Sequence, residues 1–181
     1  MATADRDRWD PKHAARGAAE PAPPAALHGR EALLPVGGRA LDVACGLGGV
    51  AVWLALRGFD VDAVDVSPVA LAAVADLAAA HGVGDRVRGL GHDLDDGLPP
   101  GLSGHAVIVC QRFRDPRLYP QLRAALAPGG LLVVTVLSRV GSASTGPYRA
   151  EPGELLDAFG TLRVLSHHEG GGEATVVAMA G

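Results

Sequence analysis

Between Arg39 and Ala180 the chain alternates short, nearly continuous apolar runs with segments that carry helix start and stop signals. That alternation constrains the fold more than any other feature. Arg39–Cys45, Asp60–Val66, Val87–Leu94, Ala106–Gln111 and Leu131–Leu137 read as strands, and Gly48–Leu56, Pro68–His81 and Pro116–Leu126 read as helices between them. Ser67 stands as an N-cap before Pro68 in the first turn, and Gly58 and Gly82 are stops. Strands that are apolar along most of their length belong in a parallel sheet covered on both faces. After a short helix at Gly153–Phe159, the runs Leu162–His168 and Ala174–Ala180 flank Gly170-Gly171-Gly172, which predicts a terminal antiparallel hairpin. The expected fold is α/β, a three-layer αβα sandwich around a seven-stranded, mostly parallel sheet. Ahead of it, residues 5–17 read as a polar helix carrying Trp9, residues 20–26 as a proline-rich crossing and residues 26–34 as a second short helix. The expected division is an N-terminal helical lid segment over 1–35 and one domain over 36–181.

Composition narrows the class. The longest apolar run, Leu131–Leu137, is broken by Thr135 and is far too short to span a bilayer, so no membrane association is expected. The first ten residues hold three Asp and two Arg with no apolar run after them, which does not read as a secretory leader. Cys45 and Cys110 are the only cysteines and cannot build a disulfide framework; reduced thiols in the cytoplasm are expected. Net charge is −4, with one Lys and fifteen Arg scattered along the chain. A nucleic-acid binder usually carries a basic patch or tail, and none is legible, so no nucleic-acid partner is expected.

In open parallel sheets, ligands bind beyond the carboxyl ends of the strands. Cys45-Gly46-Leu47-Gly48-Gly49 follows the first strand, and such a loop lets backbone approach a ligand and start a helix at once. Asp65 closes the second strand, nineteen positions past Gly46, where a carboxylate can accept from a ribose diol. Asp93 follows the third strand and Gln111-Arg112-Phe113-Arg114 the fourth. A glycine loop with two acids on one edge points to an adenosine-containing ligand. Gly46-x-Gly48-x-x-Ala51 also fits the dinucleotide fingerprint of an NAD(P)-binding oxidoreductase. Against that alternative stand Asp42 inside the first strand, the lone Lys12 ahead of the sheet, which rules out a Tyr-x-x-x-Lys pair, and the lack of a second domain for a hydride acceptor.

The constellation resembles the class I S-adenosylmethionine-dependent methyltransferases, whose fold is Rossmann-like. Leu41-Asp42-Val43-Ala44-Cys45-Gly46-Leu47-Gly48-Gly49 is similar to the family's acid-x-Gly-x-Gly-x-Gly motif, with Ala44 in place of the first glycine. Val64-Asp65-Val66-Ser67 resembles the ribose-binding segment, His92-Asp93-Leu94 the adenine-facing acid, and Leu126-Ala127-Pro128-Gly129-Gly130 the turn before the fifth strand. Trp9, Gly146-Pro147 and Pro152-Gly153-Glu154-Leu155-Leu156 are similar to the tellurite-resistance and thiol methyltransferase branch.

The resemblance implies S-adenosylmethionine as cofactor. Asp42 and the backbone around Ala44, Cys45 and Gly46 would meet the methionine end, with Gly48 shaping the loop. Asp65 and Val66 would hold the ribose, Asp93 and Leu94 the adenine, and Gln111 would complete the cofactor set. It further implies in-line methyl transfer to a small nucleophile, in which positioning and water exclusion matter most. Arg112 and Arg149 are candidates for an anionic group on the acceptor. No residue is assigned as general base, and a module that binds the cofactor without turnover is the second alternative. His167-His168 lacks further ligands, Cys45 and Cys110 read as core thiols, and no metal is expected.

Overall fold

A computed structural model describes residues 2–144, 146 and 148–181, with side chains from residue 6 onward. The chain folds as two compact units, residues 1–23 with 36–102 and residues 24–35 with 103–181.

In the first unit, β1 (Gly38–Val43), β2 (Phe59–Asp65) and β3 (Val87–Gly91) pair in parallel, Asp42 opposite Ala63 and Asp65 opposite Gly91. Short helices α2 (Gly49–Ala55) and α3 (Pro68–Ala80) follow β1 and β2, and α1 (Ala2–Ala14) precedes them all. The expected cap holds: Ser67 Oγ accepts from Ala70 N at 3.1 Å, with Pro68 in the first turn. Leu41, Val43, Val52, Leu54, Phe59, Val64 and Val74 form the core. Burying each such side chain contributes about 1.5–3 kcal/mol.

The second unit holds β4 (His105–Gln111), α4 (Tyr119–Ala125), β5 (Leu126–Leu137), α5 (Glu154–Phe159), β6 (Arg163–Gly170) and β7 (Glu173–Met179). β4 and β5 are parallel; β7 is antiparallel to both β5 and β6. The strands run in the order β3-β2-β1 in the first unit and β4-β5-β7-β6 in the second; seven mostly parallel strands with an antiparallel terminal hairpin are the expected α/β architecture.

Several boundaries differ from expectation; α1 spans Ala2–Ala14 rather than 5–17, and β1 ends at Val43 rather than Cys45. Residues 26–34 form two 3-10 turns, Ala25–Leu27 and Glu31–Leu33, because His28 leaves the helical region and Gly29 lies at φ +71°. The third strand stops at Gly91, since Asp93 turns the chain into a 3-10 turn at Leu94–Asp96. The helix expected at 116–126 opens as a 3-10 turn capped by Asp115, which accepts from Arg117 N at 2.9 Å. β5 starts five residues before the expected Leu131, at Leu126. Pro147 lies outside the described residues. Among those described, no helix is long and apolar enough to cross a membrane.

Alternation in Phe59–Asp65 also puts Asp60 and Asp62 on one face of β2, where they meet neighbouring arginines. Asp62 is buried and accepts from Arg39 and Arg88, both at 2.7 Å, and Arg86 reaches Asp60 at 3.0 Å. Asp60 lies near the amino end of β2 and Asp62 at its middle, both before the carboxyl-end loops.

Candidate functional site

The carboxyl ends of β1 and β2 build one polar cradle in the first unit. Ala44 (φ +55°), Gly46 (φ +52°) and Gly48 (φ +82°) carry the chain through three left-handed turns in five residues. For Ala44 that conformation costs about 1–2 kcal/mol, and it stands where the family motif has its first glycine. Cys45 N donates to Val64 O at 3.0 Å, and Gly48 N to Cys45 O at 3.1 Å, which locks the turn.

The glycines serve internal packing. A Cβ on Gly48 would lie 2.7 Å from Val74 Cγ2 and 3.1 Å from Val74 Cα, so α3 presses on the loop there. A Cβ on Gly49 would meet Glu20 O at 2.9 Å, where Ala22 N donates to Gly49 O.

Asp65 is 7% exposed and ties the cradle together. Its Oδ2 accepts from Gly46 N and its Oδ1 from Ser67 N, both at 2.9 Å. Each oxygen keeps a second lone pair for a ligand hydroxyl. Asp42, 3% exposed, receives a backbone hydrogen bond from Ala51, but its Oδ2 is buried without a partner. Burial first, and the nearby Asp65 charge second, push its carboxyl up to about 7, against the Ala51 bond. Burial, then the Asp42 and Asp65 charges, hold the Cys45 thiol well above the usual thiol range, which disfavours its thiolate.

Around this cradle, His92 N donates to Asp65 O at 3.1 Å, and half-buried Asp93 caps the following turn, its Oδ1 accepting from Asp95 N at 3.0 Å. Leu94 is buried, and half-buried Val66 offers its carbonyl to Arg6 Nε at 3.2 Å. Asp42, Ala44, Cys45, Gly46, Gly48, Asp65, Val66, Asp93 and Leu94 therefore all belong to the first unit, on the carboxyl ends of β1, β2 and β3.

The remaining candidates belong to the second unit. Gln111 ends β4, half-buried. Arg112, at φ +57°, pairs with Glu173 at 2.6 Å, and Arg149 Nη1 donates to Ser138 O at 2.9 Å and Gly172 O at 3.2 Å. Arg149 thus pins the connection after β5 to the turn before β7. A half-buried network follows β4: Arg114 meets Glu154 at 2.6 Å, and Tyr119 Oη donates to Glu154 Oε1 at 2.9 Å. Burial opposes the Glu154 charge, yet the bonds from Arg114 and Tyr119 prevail and hold its carboxyl below the usual range. Burial, then the bond to Glu154, raises the Tyr119 phenol. Among the described residues no group of three or more His, Cys, Asp or Glu is placed to hold a metal ion.

Sequence reasoning missed what α1 does. Ser67 Oγ donates to Asp10 and Arg6 reaches Val66 O, so the helix is fastened to the turn after Asp65. The signal was faint: Arg6, Asp10 and His13 share one side of a helix whose other residues are mostly exposed.

Residues 40–130, just over half of the chain, match the family model described as a methyltransferase domain. A ribosomal RNA small subunit methyltransferase C from Chromohalobacter salexigens is 34% identical over 137 residues, 73% of this chain; the chain spans 38% of that relative's length. The structure of TehB from Haemophilus influenzae is similar at a TM-score of 0.72 and 16% identity, covering 86% of this chain and 61% of that one. The CcbJ methyltransferase from Streptomyces caelestis is similar at a TM-score of 0.72 and 18% identity, covering 100% of both chains.

Proposed function

The chain belongs to the methyltransferase-domain family, and from that premise we propose that it transfers a methyl group from S-adenosylmethionine to a small nucleophilic acceptor such as a thiol, a chalcogen oxyanion or a compact metabolite. The observation that carries the cofactor reading is the cradle at the ends of β1 and β2: a left-handed loop, a buried carboxylate with spare lone pairs, and a buried carboxylate oxygen on Asp42 with no partner. These groups fit a ligand with a ribose diol and an ammonium. A buried carboxylate oxygen left without a partner beside the glycine loop weighs against the pyrophosphate of a nicotinamide dinucleotide there.

When bound, the cofactor supplies a methyl group already activated on a sulfonium centre. Asp65 would accept from both ribose hydroxyls and Asp93 from the adenine amine, with Leu94 packing on the ring and offering its N–H. Asp42 would take the ammonium in ionised form, the state that burial alone disfavours. The chain's contribution is orientation and exclusion of water. A thiol acceptor is partly ionised at neutral pH and needs no dedicated base, which agrees with the absence of an assigned one.

The acidic balance of the chain and its scattered arginines support a small acceptor over a polyanion. Both candidate arginines for an anionic acceptor already have partners, Arg112 in an exposed pair with Glu173 and Arg149 on two backbone carbonyls; the exposed pair is the easier to exchange for an acceptor. An RNA acceptor is the second reading, favoured by the 34% identical relative, a ribosomal RNA methyltransferase.

The test is a screen with methyl-labelled S-adenosylmethionine against small thiols, selenite, tellurite, phenols, and extracted protein and RNA. Label in a small product is expected. Label confined to RNA or protein would overturn the acceptor class. Binding without turnover on any acceptor would favour a non-catalytic module.

A further inference from the structure

We infer that His13 of α1 is part of the cofactor site, its Nδ1–H donating to the carboxylate of the methionyl zwitterion whose ammonium faces Asp42. This rests on the methyltransferase reading above.

Alpha-helix α1 is a polar element: Arg6, Asp7, Arg8, Pro11 and Lys12 are exposed, and Lys12 Nζ sits 4.4 Å from the Trp9 ring centre. His13 departs from that pattern at 6% exposure. Two things bury it. The Trp9 ring stacks on it with centroids 5.8 Å apart, and the Gly46 backbone lies beneath it, the site of a Cβ there being 3.6 Å from His13 Cε1. Cε1 is bonded to both ring nitrogens, so the imidazole edge that carries Nδ1 faces the glycine loop. The helix is held there by Arg6 on Val66 O and Asp10 on Ser67 Oγ.

A histidine buried only for packing has its ring nitrogens hydrogen-bonded. His13 Nδ1 is buried and has no partner. Among the described residues the other such atoms are Asp42 Oδ2, His92 Nε2 and His167 Nε2, so three of the four flank the carboxyl ends of β1 and β3. Asp42 Oδ2, at the floor of the loop, lacks a donor, and His13 Nδ1, against Gly46, lacks a partner; with the proton on Nδ1 the two are the complement of a ligand carrying an ammonium and a carboxylate on one carbon. Two orphaned polar groups of opposite need, each more than nine-tenths buried, are costly in the free protein and satisfied together by one zwitterion.

The experiment compares two probes by calorimetry on the full chain. S-adenosylhomocysteine carries the zwitterion, and 5′-methylthioadenosine has the same nucleoside without it. His13→Ala is expected to weaken S-adenosylhomocysteine at least tenfold while leaving methylthioadenosine within twofold. His13→Asn, which keeps an N–H donor near the Nδ1 position, is expected to recover most of the loss. Equal affinity of wild type and His13→Ala for S-adenosylhomocysteine would overturn the inference. So would a parallel loss for both probes, which would mark a helix that merely covers the nucleoside. Failure of wild type to bind either probe would instead refute the methyltransferase reading itself.

Discussion

Asp65→Ala is expected to lower affinity for S-adenosylhomocysteine at least tenfold and to destabilise the free protein as well. Two charge-assisted hydrogen bonds to the ribose diol would be lost, each contributing about 1.5–3 kcal/mol. The same carboxylate also accepts from Gly46 N and Ser67 N at 2.9 Å. Removing it leaves those buried donors unmet, at about 1–3 kcal/mol each. Asp65→Asn separates the two effects: the amide oxygen can still serve one backbone donor, but its NH2 opposes the other and cannot accept from a hydroxyl. Titration calorimetry reads the first effect and thermal melting the second. An unchanged dissociation constant in Asp65→Ala would mean that β2 does not end at the ligand.

The second large effect is a pH dependence set by Asp42. Its carboxyl is raised to about 7 in the folded chain, chiefly by burial and then by the Asp65 charge. In the unfolded chain it titrates near 3.9. Between those values the folded state binds the proton and the unfolded state does not, so this group's stabilisation is complete below about pH 4 and is lost as pH rises through 7. Over the whole window that amounts to roughly 4 kcal/mol. Asp42→Asn removes the titration and keeps the shape. The expected result is a difference in unfolding free energy between variant and wild type that grows from pH 4 to pH 8, the variant being the more stable at pH 8. Urea unfolding at four pH values measures it, and a difference that does not change with pH would contradict the account. The low Glu154 carboxyl works the opposite way, its contribution fading as pH falls toward acid, and it cancels in the comparison.

The strands and the order of motifs were legible because parallel strands write their burial directly into sequence: Leu41, Val43, Val61, Val64, Val107–Val109 and Leu131–Val134 are all buried. The terminal hairpin was legible from its glycine turn. Boundaries were less so, since 26–34 has helical composition but breaks at Gly29, and Asp93 reads as strand until its carboxylate is seen capping a turn. Within the candidate site, the spacing from Gly46 to Asp65 carried real geometry, for those two residues touch. Three things were not legible. The acids of Phe59–Asp65 split between roles, with Asp62 held by Arg39 and Arg88 at mid-strand and Asp65 at the carboxyl end. Gly48 and Gly49 are needed where Val74 and Glu20 press on the loop, contacts between segments far apart in sequence. The docking of α1 through Arg6 and Asp10 depends on two side chains in a helix whose apolar pattern is too weak to announce a buried face.

The central claim is that the cradle at the ends of β1 and β2 holds S-adenosylmethionine. Titration of the unmodified chain with S-adenosylhomocysteine and, separately, with NAD tests it most directly. Saturable binding of S-adenosylhomocysteine in the micromolar range, with NAD far weaker, is the predicted result; NAD binding as tight or tighter would contradict it.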